Sequence, residues 1–205
     1  AFTNTQGLVY ILPETESASA LFGMQSPSGE SMASAGGTDA LAKAAPDGYT
    51  LGMATPGPVT AGKTLYPSLP YDPERDLAPV ILVNASPNVL ATHPSVPARS
   101  VRELIALAKK SPEKLKYASG GVGSTSHFAV AMFASAAGIS KETLHLPYKG
   151  GAPAMVATMS NETQFYLGPI PGMVPQITSG KVKAIAITGD KRSPSLPDVP
   201  TLAEL

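Results

Sequence analysis

The chain has 205 residues, no cysteine, and 15 basic against 15 acidic side chains, for a formal net charge of zero. Zero net charge argues against broad electrostatic attraction to nucleic acid or to an anionic membrane, and any bound anion must be held by local donors. The lack of cysteine excludes disulfide scaffolds, thiolate zinc sites and cysteine nucleophiles. No run of about 20 apolar residues is present, so no membrane-spanning helix is expected. The N-terminus has no basic stretch ahead of an apolar core, so a signal peptide is expected to have been removed already. The length suits one large domain or two lobes with a real core.

In chain order, Gly7–Leu12 (GLVYIL) reads as a short buried strand, and 13–29 carries few periodic signals. An alanine-rich helix is expected over 31–45, weakened by Gly36 and Gly37. Asp47-Gly48 is a turn signal and Tyr49–Ala54 a strand. Thr55–Pro58 (TPGP) is then a loop at a strand's carboxyl end, where ligands collect in open α/β sheets. Residues 65–76 are proline-rich and irregular, Leu77–Val83 is a strand, and 80–84 is expected to cross between two units.

From Pro87 the elements alternate. Strands are expected at 87–93, 114–119, 143–147, 164–167 and 183–188. Between them lie helices at 101–110, 127–137, 152–160 and 173–179. Ser100 followed by Glu103 is a capping box for the first of these helices. Such alternation implies an α/β unit with a mostly parallel sheet covered on both faces. The tail from Arg192 carries three prolines and reads as a covering segment.

The most informative stretch is Tyr117–His127 (YASGGVGSTSH), a strand running into a glycine- and serine-rich loop and then a helix. Ser119, Gly120, Gly121, Val122, Gly123, Ser124, Thr125 and Ser126 form the loop. Unpaired N–H groups at the positive end of a helix suit an anion, and glycines permit close approach. The loop reads either as a plain connection or as a seat for a small anion, with a carboxylate favoured. It lacks the lysine of a triphosphate loop and the Gly-x-Ser-x-Gly of a nucleophile elbow.

Six stretches together resemble the Bug family, the periplasmic substrate-binding proteins of tripartite tricarboxylate transporters. They are Lys43–Leu51 (KAAPDGYTL), Leu65–Val80 (LYPSLPYDPERDLAPV), Val96–Lys109 (VPARSVRELIALAK), Leu115–His127 (LKYASGGVGSTSH), Leu146–Ala154 (LPYKGGAPA) and Ser179–Leu202 (SGKVKAIAITGDKRSPSLPDVPTL). They occur in the family's order over roughly 31–205. The resemblance implies a two-lobed periplasmic binding protein of type II-like architecture, each lobe a mostly parallel sheet flanked by helices, closing around a small carboxylate. Residues 1–84 and 190–205 would form a partial first lobe, and 85–189 the second. Family members usually open with a proline-glycine-glycine loop and continue beyond the LPDVPTLAE region; neither feature is found in this sequence.

On that footing Ser119, Gly120, Gly123, Ser124 and Thr125 are expected to donate to one carboxylate, directly or through water. Thr55, Pro56 and Gly57 would face them from the first lobe. Tyr148, Lys149 and Gly150 lie at another strand end; Lys149 either meets a second carboxylate or points its ammonium to solvent. Gly168 and Pro169 are candidate pocket wall. His127 is a candidate ligand contact or a capping histidine. His93 and His145 lie on separate strands without a carboxylate at ligand spacing, so no metal and no cofactor is expected. The acid pairs Glu74/Asp76 and Asp190/Asp198 read as solvated rather than as a general acid and base. The expected protein is a monomeric, non-enzymatic periplasmic receptor for a di- or tricarboxylate or an aromatic acid, delivering it to membrane components of a tripartite transporter. A sensing adaptor for a membrane kinase is the alternative, followed by a serine hydrolase using Ser124 or Ser126.

Overall fold

Five short strands after Ser86 carry apolar residues on both sides, and a sheet forms from them that is covered on both faces. The computed structural model describes residues 6–12, 35–54, 57–65, 68–111, 113 and 115–205. The strands are β4 (Asn88–Thr92), β5 (Leu115–Ser119), β6 (Thr143–Pro147), β7 (Phe165–Pro169) and β8 (Lys183–Ile187), in the order β6-β5-β7-β4-β8. Interior strand β4 is buried at all five positions, as expected where neither face meets water.

Side-chain alternation sorts two apolar layers. Leu90, Leu115, Tyr117, Phe165 and Leu167 pack with α3 (Val101–Lys110) and α4 (Thr125–Ala136). Val89, Ala91, Ala118, Tyr166 and Ile187 pack with α5 (Gly151–Met159) and α6 (Ile170–Thr178). The expected helix Val101–Lys110 forms with those ends. Ser100 accepts from the Glu103 N–H at 3.2 Å, and the Glu103 carboxylate accepts from the Arg99 N–H at 2.7 Å. One orphan donor of the helix, the Glu103 N–H, is satisfied in this way, and the Glu103 carboxylate reaches one residue past the cap to Arg99 instead of closing the box on Ser100.

The parallel expectation holds for β5 with β6 and with β7. It fails at β4, which runs antiparallel to both β7 and β8. A doubly buried strand reads as the same apolar run in either direction, so the sequence pattern did not reveal the reversal. Gly168 and Pro169, expected in a loop, end β7 instead, and α6 begins at once with Ile170. Pro171 sits in its first turn, where the fixed φ fits and no N–H is needed.

The described residues before Ser86 cluster into a separate unit, together with Gly123–Thr125; Ser86–Val122 and Ser126–Leu205 make up the other. The smaller sheet has β1 (Gln6–Leu12) between β2 (Thr50–Ala54) and β3 (Ala78–Ala85), all antiparallel rather than parallel. Residues 80–84, expected to cross between units, belong to β3. Helix α1 (Ala35–Ala42) sets Leu41 over Gly52, where a Cβ would lie 2.6 Å from the Leu41 side chain. A side chain at position 52 would require Leu41 to shift. Gly57–Ala61 forms a π-helical turn that leads into α2 (Gly62–Leu65), in place of the open loop expected there. The Tyr71 hydroxyl donates to the Pro58 carbonyl at 3.0 Å and holds that turn. Asp76 accepts from Arg75 at 2.7 Å and from the Asp72 N–H at 2.8 Å, so it fastens its own turn.

The tail, expected with the first lobe, lies along β8. The Ile187 N–H donates to Pro200 O at 2.9 Å, Ile187 bridges Thr201, and Arg192 pairs with Glu204 at 3.1 Å.

Candidate functional site

β5 and β6 run parallel and end level, Ser119 opposite Pro147, so the loops that follow them emerge side by side. Backbone bonds join those loops. The Tyr148 N–H donates to Ser119 O at 2.9 Å, and the Gly150 N–H donates to Gly120 O at 3.1 Å. Gly120 permits this approach, since a Cβ there would sit 3.3 Å from the backbone of Gly150 and Gly151. Gly121, Gly123 and Gly150 adopt φ of 124°, 77° and 108°, which side-chain-bearing residues rarely reach. The structure therefore brings the 119–121 and 148–150 candidates into one strand-end cluster.

One expected ligand donor, the Gly120 amide, and its loop neighbour, the Gly121 amide, are already used. The Gly120 N–H donates to Ser126 Oγ at 2.9 Å, and the Gly121 N–H donates to Ser119 Oγ at 3.1 Å. The serine hydroxyls stand where a ligand oxygen was expected, so these amides shape the loop rather than offer themselves to an anion. This moves the candidate seat forward to Val122 and the head of α4, which starts at Thr125. A helix cannot pair the N–H groups of its own first turn, and its dipole favours negative charge there. Val122 is 58% exposed at the tip of the loop.

Beneath the loop lies an aromatic column that sequence reasoning missed. The His145 ring stacks on Tyr117 at 4.9 Å and on His127 at 4.2 Å, the latter within 9° of parallel. Its Nε2 lies 2.6 Å from Ser119 Oγ. The signal was present in part: period-two alternation puts Tyr117 and Ser119 on one face of β5. Placing His145 beside them needs the pairing of β5 with β6, which the sequence does not state. Burial, and then the neighbouring His127, push His145 down from 6.5 to about 4; burial also lowers His127 and raises Tyr117.

A serine and a histidine at such a distance can mark a nucleophile and its base. Here the hydroxyl is fully buried and held by Gly121. Among the described residues no carboxylate bonds to His145. Ser126, weighed with Ser124 as a nucleophile, is buried and accepts from Gly120, with the Tyr166 hydroxyl against it.

The remaining candidates separate. Lys149 is exposed. Gly168 leaves room for the Tyr166 ring, which a Cβ there would strike, so its role is in packing. Pro169 is exposed at the start of α6. Gly57 is buried in its π-helical turn. Thr55 and Pro56 lie outside the described residues.

Solved structures with a similar fold include a Rhodopseudomonas palustris protein with adipate, at TM-score 0.77 and 33% identity over 83% of this chain and 56% of that one. MatC from the same organism, with bound malate, gives 0.75 and 30% over 82% and 56%. The periplasmic binding protein BugD gives 0.76 and 34% over 86% and 58%. The fold is thus that of the periplasmic solute-binding proteins, an α/β class built of two units. The family described as the tripartite tricarboxylate transporter family receptor matches residues 27–205, and the chain belongs to it. Its relatives include protein BugT of Bordetella pertussis, 38% identical over 170 residues, covering 82% of this chain and 52% of BugT. Another, encoded in the tcbD-tcbE intergenic region of a Pseudomonas species, is 34% identical over 168 residues, covering 82% and 49%. The chain therefore spans about half the length of the curated relatives it matches.

Proposed function

We propose that the protein is a periplasmic receptor that captures a small organic carboxylate, without converting it, and delivers it to the membrane components of a tripartite transporter. The observation that carries this reading is the family match across 27–205. Two structural neighbours, solved with adipate and with malate, support a dicarboxylate as the ligand class. The seat proposed here is the end of the 119–125 loop and the first turn of α4. The formal net charge of zero agrees with a grip made by dipoles and amides rather than by a basic field.

Isothermal titration calorimetry on the natural full-length protein, across linear dicarboxylates, hydroxy acids and aromatic acids, tests this. The expected result is saturable one-to-one binding of at least one acid, recovered unchanged afterwards. Absence of binding across the panel, or conversion of the acid, would contradict the reading.

A further inference from the structure

We infer that His145 is a positioning residue for the anion-binding loop, through Ser119, and that the carboxylate and a proton bind there together. This rests on the loop being the carboxylate seat. Ser119 Oγ carries a single proton. It accepts from the Gly121 N–H at 3.1 Å, and two acceptors compete for what it can donate: Gly121 O at 3.1 Å and His145 Nε2 at 2.6 Å. We assign the neutral ring the Nδ1–H tautomer, in which Nε2 is bare and the hydroxyl donates to it. With Nε2 protonated, the ring donates to Oγ, and the hydroxyl turns to Gly121 O. Both polar groups of Gly121 are then fixed by one side chain. The protonation state of His145 thus sets the hydrogen bonding of the residue that precedes the proposed seat.

The charges around the ring give the direction. Among the described residues, the ionisable groups facing it are Tyr117 from β5 and His127 from α4. Tyr117 stays neutral, its phenol pushed up by burial. His127 is the third residue of α4, at the positive end of the helix. A proton on either imidazole faces that dipole, a second imidazole and partial burial, and all three disfavour it. A carboxylate seated at the head of α4 reverses the local sign. Binding then raises the affinity of His145 for a proton, and by linkage acid tightens ligand binding; any contribution of His127 is common to the protein and its His145 variant. The effect sets in as pH falls below the bound-state value and saturates near the free-state value of about 4.

Adipate is titrated into the natural full-length protein and into His145→Gln at pH 8 and pH 5. Glutamine keeps a hydrogen-bonding group near Ser119 but does not titrate. At pH 8 the two should agree within about threefold, and at pH 5 the unsubstituted protein should gain about tenfold over the variant. Titration of adipate itself is common to both and cancels. Parallel pH profiles overturn the inference while leaving the proposed function standing; no adipate, malate or other acid binding to the unsubstituted protein removes both. Should the variant fail to fold, imidazole proton NMR on the unsubstituted protein decides. Saturating adipate should raise the His145 midpoint by about two pH units, the rise that a tenfold gain at pH 5 requires, and an unmoved midpoint overturns the inference.

Discussion

Val122→Asp is expected to weaken binding of a dicarboxylate by at least about 100-fold, a difference of about 2.7 kcal/mol. Val122 is 58% exposed, so no packing is lost and no buried polar group is created. What changes is the charge at the tip of the loop. Two like charges about 5 Å apart repel by about 3 kcal/mol at an effective dielectric constant of about 20. Val122→Asn, of the same shape without the charge, should bind within about fivefold of the original, since surface substitutions of this kind cost little. Calorimetry on both, with thermal melts to show that neither unfolds, checks this. Equal binding by the two variants would move the carboxylate away from the loop.

Phe165→Ala should cost about 3–5 kcal/mol of folding stability, the usual range for removing a buried phenylalanine. Phe165 is 0% exposed in β7, its ring 5.6 Å from that of Tyr117. It thus backs the Tyr117–His145–His127 column from the core side. Urea denaturation should show a lower midpoint with an unchanged slope. Val156→Ala on α5, where the side chain is 55% exposed, is the control and should move stability by less than about 0.5 kcal/mol. A loss under about 1 kcal/mol for Phe165→Ala would mean that this layer is loosely packed, and the column would lose its support.

Local chemistry made much of this fold legible. Ser100 and Glu103 mark the start of α3 because a cap is a matter of neighbours three residues apart. The bounds of β6, Thr143–Pro147, follow from a short apolar run closed by a proline and glycine turn. What stayed hidden depends on partners distant in sequence. Nothing in the run NVLAT distinguishes a strand running up from one running down, so the reversed direction of β4 was out of reach. The same holds for the smaller sheet, whose three strands pair antiparallel.

The site divides in the same way. The glycine pattern of the loop identified a strand-to-helix turn, and the structure has one there, between β5 and α4. It also suggested the Gly120 amide as a ligand donor, and Ser126 shows why that does not follow. A serine beside a glycine serves as readily to fasten the turn as to meet a ligand. Gly168 makes the companion point: it clears space for Tyr166 two residues earlier on the same face. The sequence places His145 on a strand with no carboxylate at metal-ligand spacing, and only the β5–β6 register sets it against Ser119.

A crystal structure of the natural full-length protein soaked in adipate tests the central claim most directly. The account predicts a carboxylate oxygen within about 3 Å of the backbone nitrogen of Val122 or Thr125, with the Gly120 and Gly121 amides still bonded to Ser126 and Ser119. An adipate held elsewhere by basic side chains, with the head of α4 facing only water, would contradict it.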